Sequence, residues 1–186
     1  MEEQIMNMPA VALRGLTILP GMIAHFDISR ERSLRAVEEA MEQDQKIYLV
    51  TQRNVDSEDP TQEDLYQMGI VADIKQVVRL QNDVVRILVD GISRAALLGF
   101  TGNEKYLEAE ICYCDSNADS LPEDLREAML LGVREAFHRY AAVVGKISKE
   151  LIRQIDQYED LEKLIDYVTN NLPVSYELKQ LSLIHI

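Results

Sequence analysis

The sequence predicts an α+β protein: a mixed β lobe, built as a bent sheet or half-open barrel with one early helix, followed by an α-helical bundle lobe. Three observations carry that expectation. Between Val11 and Tyr113 the chain is a series of short apolar, β-branched runs punctuated by Gly, Asn and Asp. One stretch inside that series, after Ser29, changes from a two-residue to a helical period. Beyond DSNADS, Asp115 to Ser120, strand signals stop and apolar residues recur at helical spacing. The expected plan is a disordered N-terminus over 1–7, a β-rich lobe over 8–115, a linker over 116–121 and a helical lobe over 122–186.

The elements follow in order. Apolar residues crowd Val11 to Leu19, Pro20-Gly21 breaks the run with a turn, and Ala24, Phe26 and Ile28 then alternate as in a half-buried strand. Leu34, Val37 and Met41 set one apolar stripe on a charged helix. KIYLVTQ, Lys46 to Gln52, reads as a strand, and Arg53 to Asp64 as an acidic loop. Within that loop Thr61 stands three residues before Asp64, the spacing of a capped turn. Gly69 is expected to supply a backbone reversal at positive φ. Ile70–Leu80 and Val84–Val89 flank a Gln81-Asn82-Asp83 hairpin, Asp90-Gly91 reads as the next turn, and Ile92–Phe100 and Leu107–Tyr113 add strands.

In the second half, Pro122, Glu123 and Asp124 suit a helix start, and Leu125, Met129, Val133, Phe137 and Tyr140 give that helix its stripe up to Gly145. Ser148–Gln157 and Asp160–Asn171 are two further helices, and Ser175 can cap a last one. Leu178, Leu181 and Ile184 leave that last helix with an apolar face still uncovered, which reads as a helix cut short.

Composition excludes several functions. With 186 residues and 47% apolar content the chain can bury a core. It has no run of about 18 apolar residues to span a bilayer, and its first residues carry acid rather than a basic signal flank, so a cytoplasmic address is expected. The net charge is −13, and Glu38 to Asp64 alone holds nine acids against Lys46 and Arg53, a net −7. Nucleic acid is therefore disfavoured as a partner, because phosphate binding relies on clustered Lys and Arg. Cys112 and Cys114 read as buried, reduced cysteines on one face of a strand.

No catalytic or metal centre is legible. Gly145-Lys146 is followed by Ile147, not Ser or Thr, and lies between helices, so it is not a P-loop. Ser148 and Lys149 are helix neighbours that do not face each other, which excludes a Ser-Lys dyad. Glu135 and His138 read as a helix-surface pair, His25 points off the apolar face of its strand, and His185 lies in the tail. Catalytic, cofactor and metal residues are all expected to be absent.

The string ALRGLTILPGMIAHFDISRERSLRAVEEAM, Ala12 to Met41, resembles the opening of the N-terminal domain of Lon, the ATP-dependent serine protease. Arg14, Pro20, Gly21, Met22, Arg30, Glu31 and Ser33 agree with that family's pattern. Ala12, Ser29 and Arg32 depart from it, standing where Pro, Gly and Lys are usual. PTQEDLYQMG, Pro60 to Gly69, and VDGISR, Val89 to Arg94, are further matches. The resemblance implies a PUA-like β lobe and a non-catalytic domain for substrate recognition and assembly. Its partners would be unfolded or degron-bearing clients and, within a homohexamer, other copies. It implies ATP and Mg in the full-length family only, with the ATPase following the last helix. A client surface needs exposed apolar residues or a sheet edge. The candidates are Pro20, Met22 and Ile23 at the early turn and Arg30, Glu31, Arg32 and Arg35 at the helix start. A free-standing adaptor or ligand-binding domain is the alternative.

Overall fold

The central strands carry apolar side chains on both faces, and the sheet consequently bends between two cores. The computed structural model describes residues 5–114 and 121–185. In chain order the elements are β1 Ile5–Leu13, β2 Ile23–Ile28, α1 Glu31–Glu42, β3 Lys46–Thr51, β4 Met68–Arg79, β5 Val85–Phe100 and β6 Glu108–Tyr113. Four helices follow: α2 Glu123–Val144, α3 Lys149–Gln157, α4 Leu161–Asn171 and α5 Tyr176–His185. The strand order is β2-β5-β4-β3-β1-β6, with β1 parallel to β3 and the other pairs antiparallel. β6 also pairs with the second half of β5.

Alternation assigns the faces. Val11, Leu13, Ile47, Leu49, Ile70, Ala72 and Ile74 point into a core roofed by α1. Ala10, Ala12, Tyr48, Val50 and Val71 point the other way, into a second core closed by Ala95, Leu97, Ala109 and Ile111. The helix α1 buries Ser33, Ala36, Val37 and Ala40. The small alanines let it lie close on β1, so the stripe is displaced by about one position and Met41 is exposed.

Several expectations are corrected here. The disorder expected over 1–7 does not extend to residues 5–7, which begin β1 and pair with β6 through Ile5 and Cys112. The first apolar run ends as a strand at Leu13, and β1 and β2 do not form a hairpin. Asp90-Gly91 is no turn: β5 runs straight through it, with Ile92 as the extra residue of a bulge opposite Val71 and Ala72. Gly69 does not reverse the chain either. It lies inside β4 because a Cβ there would sit 2.5 Å from the Tyr48 hydroxyl. Cys112 is half-buried and Cys114 exposed, both reduced, because Cys114 lies past the end of β6 at the rim of the lobe.

The Gln81–Asp83 hairpin forms as expected, with Asn82 and Asp83 at positive φ. The linker expected over 116–121 lies outside the described residues, apart from Leu121. In the helical lobe Leu130, Phe137, Ala141, Ile155, Leu161 and Leu164 make the core. Leu125 and Met129 are exposed, since α2 faces α3 and α4 with the side carrying Leu130 and Ala141. Gly145 terminates α2 at φ +67°, Ser148 accepts from the Leu151 N–H, and Asp160 accepts from the Lys163 N–H. His138 pairs not with Glu135 but with Asp156 across the α2–α3 contact, at 2.8 Å.

The helical lobe packs back on the sheet. Leu183 enters the α1-side core, Gln180 donates to the Met68 carbonyl at 2.7 Å, and Arg94 forms a two-pronged pair with Asp166. Leu178, Leu181 and Ile184 on α5 remain exposed.

Candidate functional site

The site grows from one edge strand. Among the described residues β2 pairs only with β5, from Ile23 opposite Asp90 to Ile28 opposite Val85. Its other edge has no strand partner, and a free edge presents backbone donors and acceptors to any extended chain. Ala24 and Ile28 point into the core, whereas Ile23, His25 and Asp27 face out. Asp27 is held by Arg86 of β5 through two hydrogen bonds of 2.7 and 2.9 Å. That guanidinium holds the Asp27 carboxyl below its ordinary range.

The start of β2 is positioned by the loop over residues 14–22. Gly21 takes φ +70° and donates to the Gly91 carbonyl at 2.8 Å, and Gly91 donates to the Met22 carbonyl at 3.0 Å. Thr17 joins the loop to the Tyr176 carbonyl and the Thr51 hydroxyl, and Asn170 donates to the Pro20 carbonyl. Pro20 is half-buried, and Met22 is half-buried against the α1-side core. Ile23, at 68% exposure, is the apolar residue of this turn that stands clear of the protein.

The other end of β2 leads into the arginines. Arg30 donates to the Gln52 side chain and to the Ser57 carbonyl, both at 3.1 Å. Arg32 reaches Asp59 and the Asn103 carbonyl. Arg35 and Glu31 pair with each other on the exposed face of α1 at 2.5 Å. Arg30 and Arg32 thus fasten the acidic loop over 53–64 to the helix start. In that loop the Asp64 carboxylate accepts from both the N–H and the hydroxyl of Thr61.

The seven candidates therefore form two clusters rather than one patch. Pro20, Met22 and Ile23 stand at one end of β2 and Arg30, Glu31, Arg32 and Arg35 beyond the other, roughly 17 Å apart at the usual rise of a strand. Between β2 and the end of β1 lies a groove of about 170 Å3 lined by Val11 to Arg14, Leu16, Phe26 to Arg30, and Ser33. Arg30 is the candidate it contains. Arg14, Leu16, Phe26 and Ser33 were not singled out from the sequence as binding residues. The available signal was Arg14, a cation inside a long apolar run.

Among the described residues no three His, Cys, Asp or Glu side chains are grouped to hold a metal ion. No helix there is long and apolar enough to cross a membrane.

The family described as the ATP-dependent protease La (LON) substrate-binding domain matches residues 7–183. The chain is similar to the Lon protease of Lachnoclostridium phytofermentans, 37% identical over 183 residues, which are 98% of this chain and 23% of that protein. It is similar also to that of Clostridioides difficile, 35% identical over 177 residues, covering 94% and 22%. The chain thus spans somewhat under a quarter of these relatives. Among solved structures, the N-terminal domain of Mycobacterium avium complex Lon protease superposes with a TM-score of 0.77 at 16% identity, over 97% of this chain and 91% of that one. The Lon N-terminal domain protein from Xanthomonas campestris gives 0.52 at 14% identity, over 90% and 99%. At those identities the likeness speaks for the fold, and the fold agrees with what the sequence relatives indicate: this chain belongs to the family of Lon substrate-binding domains.

Proposed function

We propose that this domain receives unfolded or degron-bearing proteins for an ATP-dependent Lon protease of the cytoplasm and helps its homohexamer assemble. The domain itself is non-catalytic and binds no cofactor. ATP, Mg and the Ser-Lys proteolytic centre belong to other parts of such an enzyme. The observation that carries the reading is the free edge of β2 with Ile23 exposed at its start. An unfolded client offers two things a folded protein hides, apolar side chains and unpaired backbone, and an edge strand with an apolar entry answers both. Met22 beside it supplies a side chain that adapts to varied partners.

The test is fluorescence anisotropy of this chain with a permanently unfolded model protein and with its folded counterpart. Binding should favour the unfolded form, and Ile23→Glu should weaken it by about tenfold while leaving the fold intact, because Ile23 contributes little to the core. Equal binding of folded and unfolded forms would remove the reading.

A further inference from the structure

The groove between β1 and β2 has features that a general apolar surface does not need. Among the described residues Val11 to Leu13 pair with β3 on one side only, because β6 takes up Ile5 to Pro9 on the other. Among the described residues Phe26 to Ile28 likewise pair with β5 alone. Two free strand edges therefore border one cleft, with Leu16 and Phe26 as its apolar lining.

One end of the cleft is cationic. Arg14 and Arg30 both donate to the Ser57 carbonyl, at 2.9 and 3.1 Å, and neither has a carboxylate within ion-pair distance among the described residues. Burial, and after it the like charge of Arg14, hold the Arg30 pKa below its ordinary value, with Asp59 and Glu58 acting in the opposite direction. Ser33 lines the same groove at 5% exposure. In a chain of net charge −13, two neighbouring guanidiniums that form no ion pair among the described residues are a local exception, with Asp59 and Glu58 the nearest opposing charges on Arg30.

The loop carrying Ser57 is held against that end by both arginines, and Asp56, Glu58 and Asp59 lie beside Ser57 in the sequence. A chain running on past the arginines would meet these acids. A chain that ends there places its carboxylate on the arginines and stops.

We propose that this groove takes the C-terminal end of an extended client: about three residues add to the free edges of β1 and β2, and the terminal carboxylate is bound by Arg14, Arg30 and the Ser33 hydroxyl. Apolar side chains among those residues pack on Leu16 and Phe26. This inference rests on the client-receptor reading and specifies which part of the client is held.

A labelled ten-residue peptide with apolar last residues, compared as the free acid and as the C-terminal amide against the 186-residue chain, tests it. The acid should bind at least about tenfold more tightly, since charge-assisted bonds to carboxylate are the strong ones. Arg14→Gln and Ser33→Ala, two positions outside the Arg30–Gln52 clamp, should each shrink that preference. Hydrogen exchange should show protection at Phe26–Ile28 on binding the acid. Equal affinity for acid and amide, or a preference that survives both substitutions, would overturn the proposal. If the unfolded model protein still bound, the client-receptor reading would stand without it. If neither peptide nor unfolded protein bound, both would fall.

Discussion

Gly91 shows how one residue can hold a whole surface in place. A Cβ at this position would lie 2.3 Å from the Leu19 carbonyl oxygen, so the Leu19–Met22 loop can close on β5 only where no side chain intervenes. Both hydrogen bonds that fix that loop, from Gly21 to the Gly91 carbonyl and from Gly91 to the Met22 carbonyl, need this approach. Gly91→Ala should therefore cost about 2 kcal/mol or more, as overpacking against backbone does, and should lower the denaturant midpoint. Gly99→Ala on the same strand is the control. Its nearest neighbour to an added Cβ is the Gln62 side chain at 3.9 Å, and the change should stay within about 0.5 kcal/mol. Read as sequence, Asp90-Gly91 is a turn signal, because dipeptides of that type usually reverse a chain. The glycine is there for a contact with a segment some seventy residues earlier, and no local pattern encodes such a contact. Gly69 misleads in the same way, being fitted to Tyr48 across the β3–β4 ladder.

At the scale of the element, β2 is the strand whose stability decides how the edge is presented. Its main cross-strand anchor is the Asp27–Arg86 pair, directly opposite in register. The folded pKa of Asp27 is depressed, so its contribution to stability is present above the unfolded value of 3.8 and is lost as pH falls through the folded value. Amide exchange along Ile23–Ile28 should accordingly quicken on acidification below pH 4 relative to β3, and Asp27→Asn should remove that difference. An unchanged β2 profile in acid would mean that the strand is held by its backbone ladder alone. The elements themselves were largely legible: β2, β3, the Gln81–Asp83 hairpin and the capped starts of α3 and α4 lie where alternation, turn residues and Ser148 or Asp160 place them. Their faces were less so. In α1 and α2 the buried stripe is set by Ala36, Ala40 and Ala141, small residues that mark close approach, whereas the larger Met41, Leu125 and Met129 stay outside. Of the site, the arginines and the Pro20–Ile23 turn could be picked out. That β1 and β2 would border one groove could not, because neither pairs with the other and their neighbourhood arises from the bend of the whole sheet.

On the scale of the molecule, the two lobes are joined by buried groups that neither could satisfy alone. Arg94 of β5 and Asp166 of α4 are exposed by only 10% and 6%, and they meet through bonds of 3.1 and 2.5 Å. Burial lifts the Asp166 carboxyl above the usual carboxylate range, and Arg94 opposes that rise. Removing one partner leaves a buried charge, so Asp166→Ala should cost about 3 kcal/mol or more, while Arg94→Met with Asp166→Leu should recover most of the loss. Leu183 makes the same connection with apolar surface, since a residue of α5 completes the core beneath α1. If these contacts hold the lobes as one cooperative unit, far-UV circular dichroism, weighted to the helices, and exchange of the buried β3 amides should report a single unfolding transition. Leu183→Ala should shift both probes together by about 3 kcal/mol. Separate midpoints would show that the helical lobe unfolds on its own. The Thr17 and Asn170 bonds to the Pro20 loop would then let it release the start of β2, making the presentation of Ile23 depend on whether the lobes are docked.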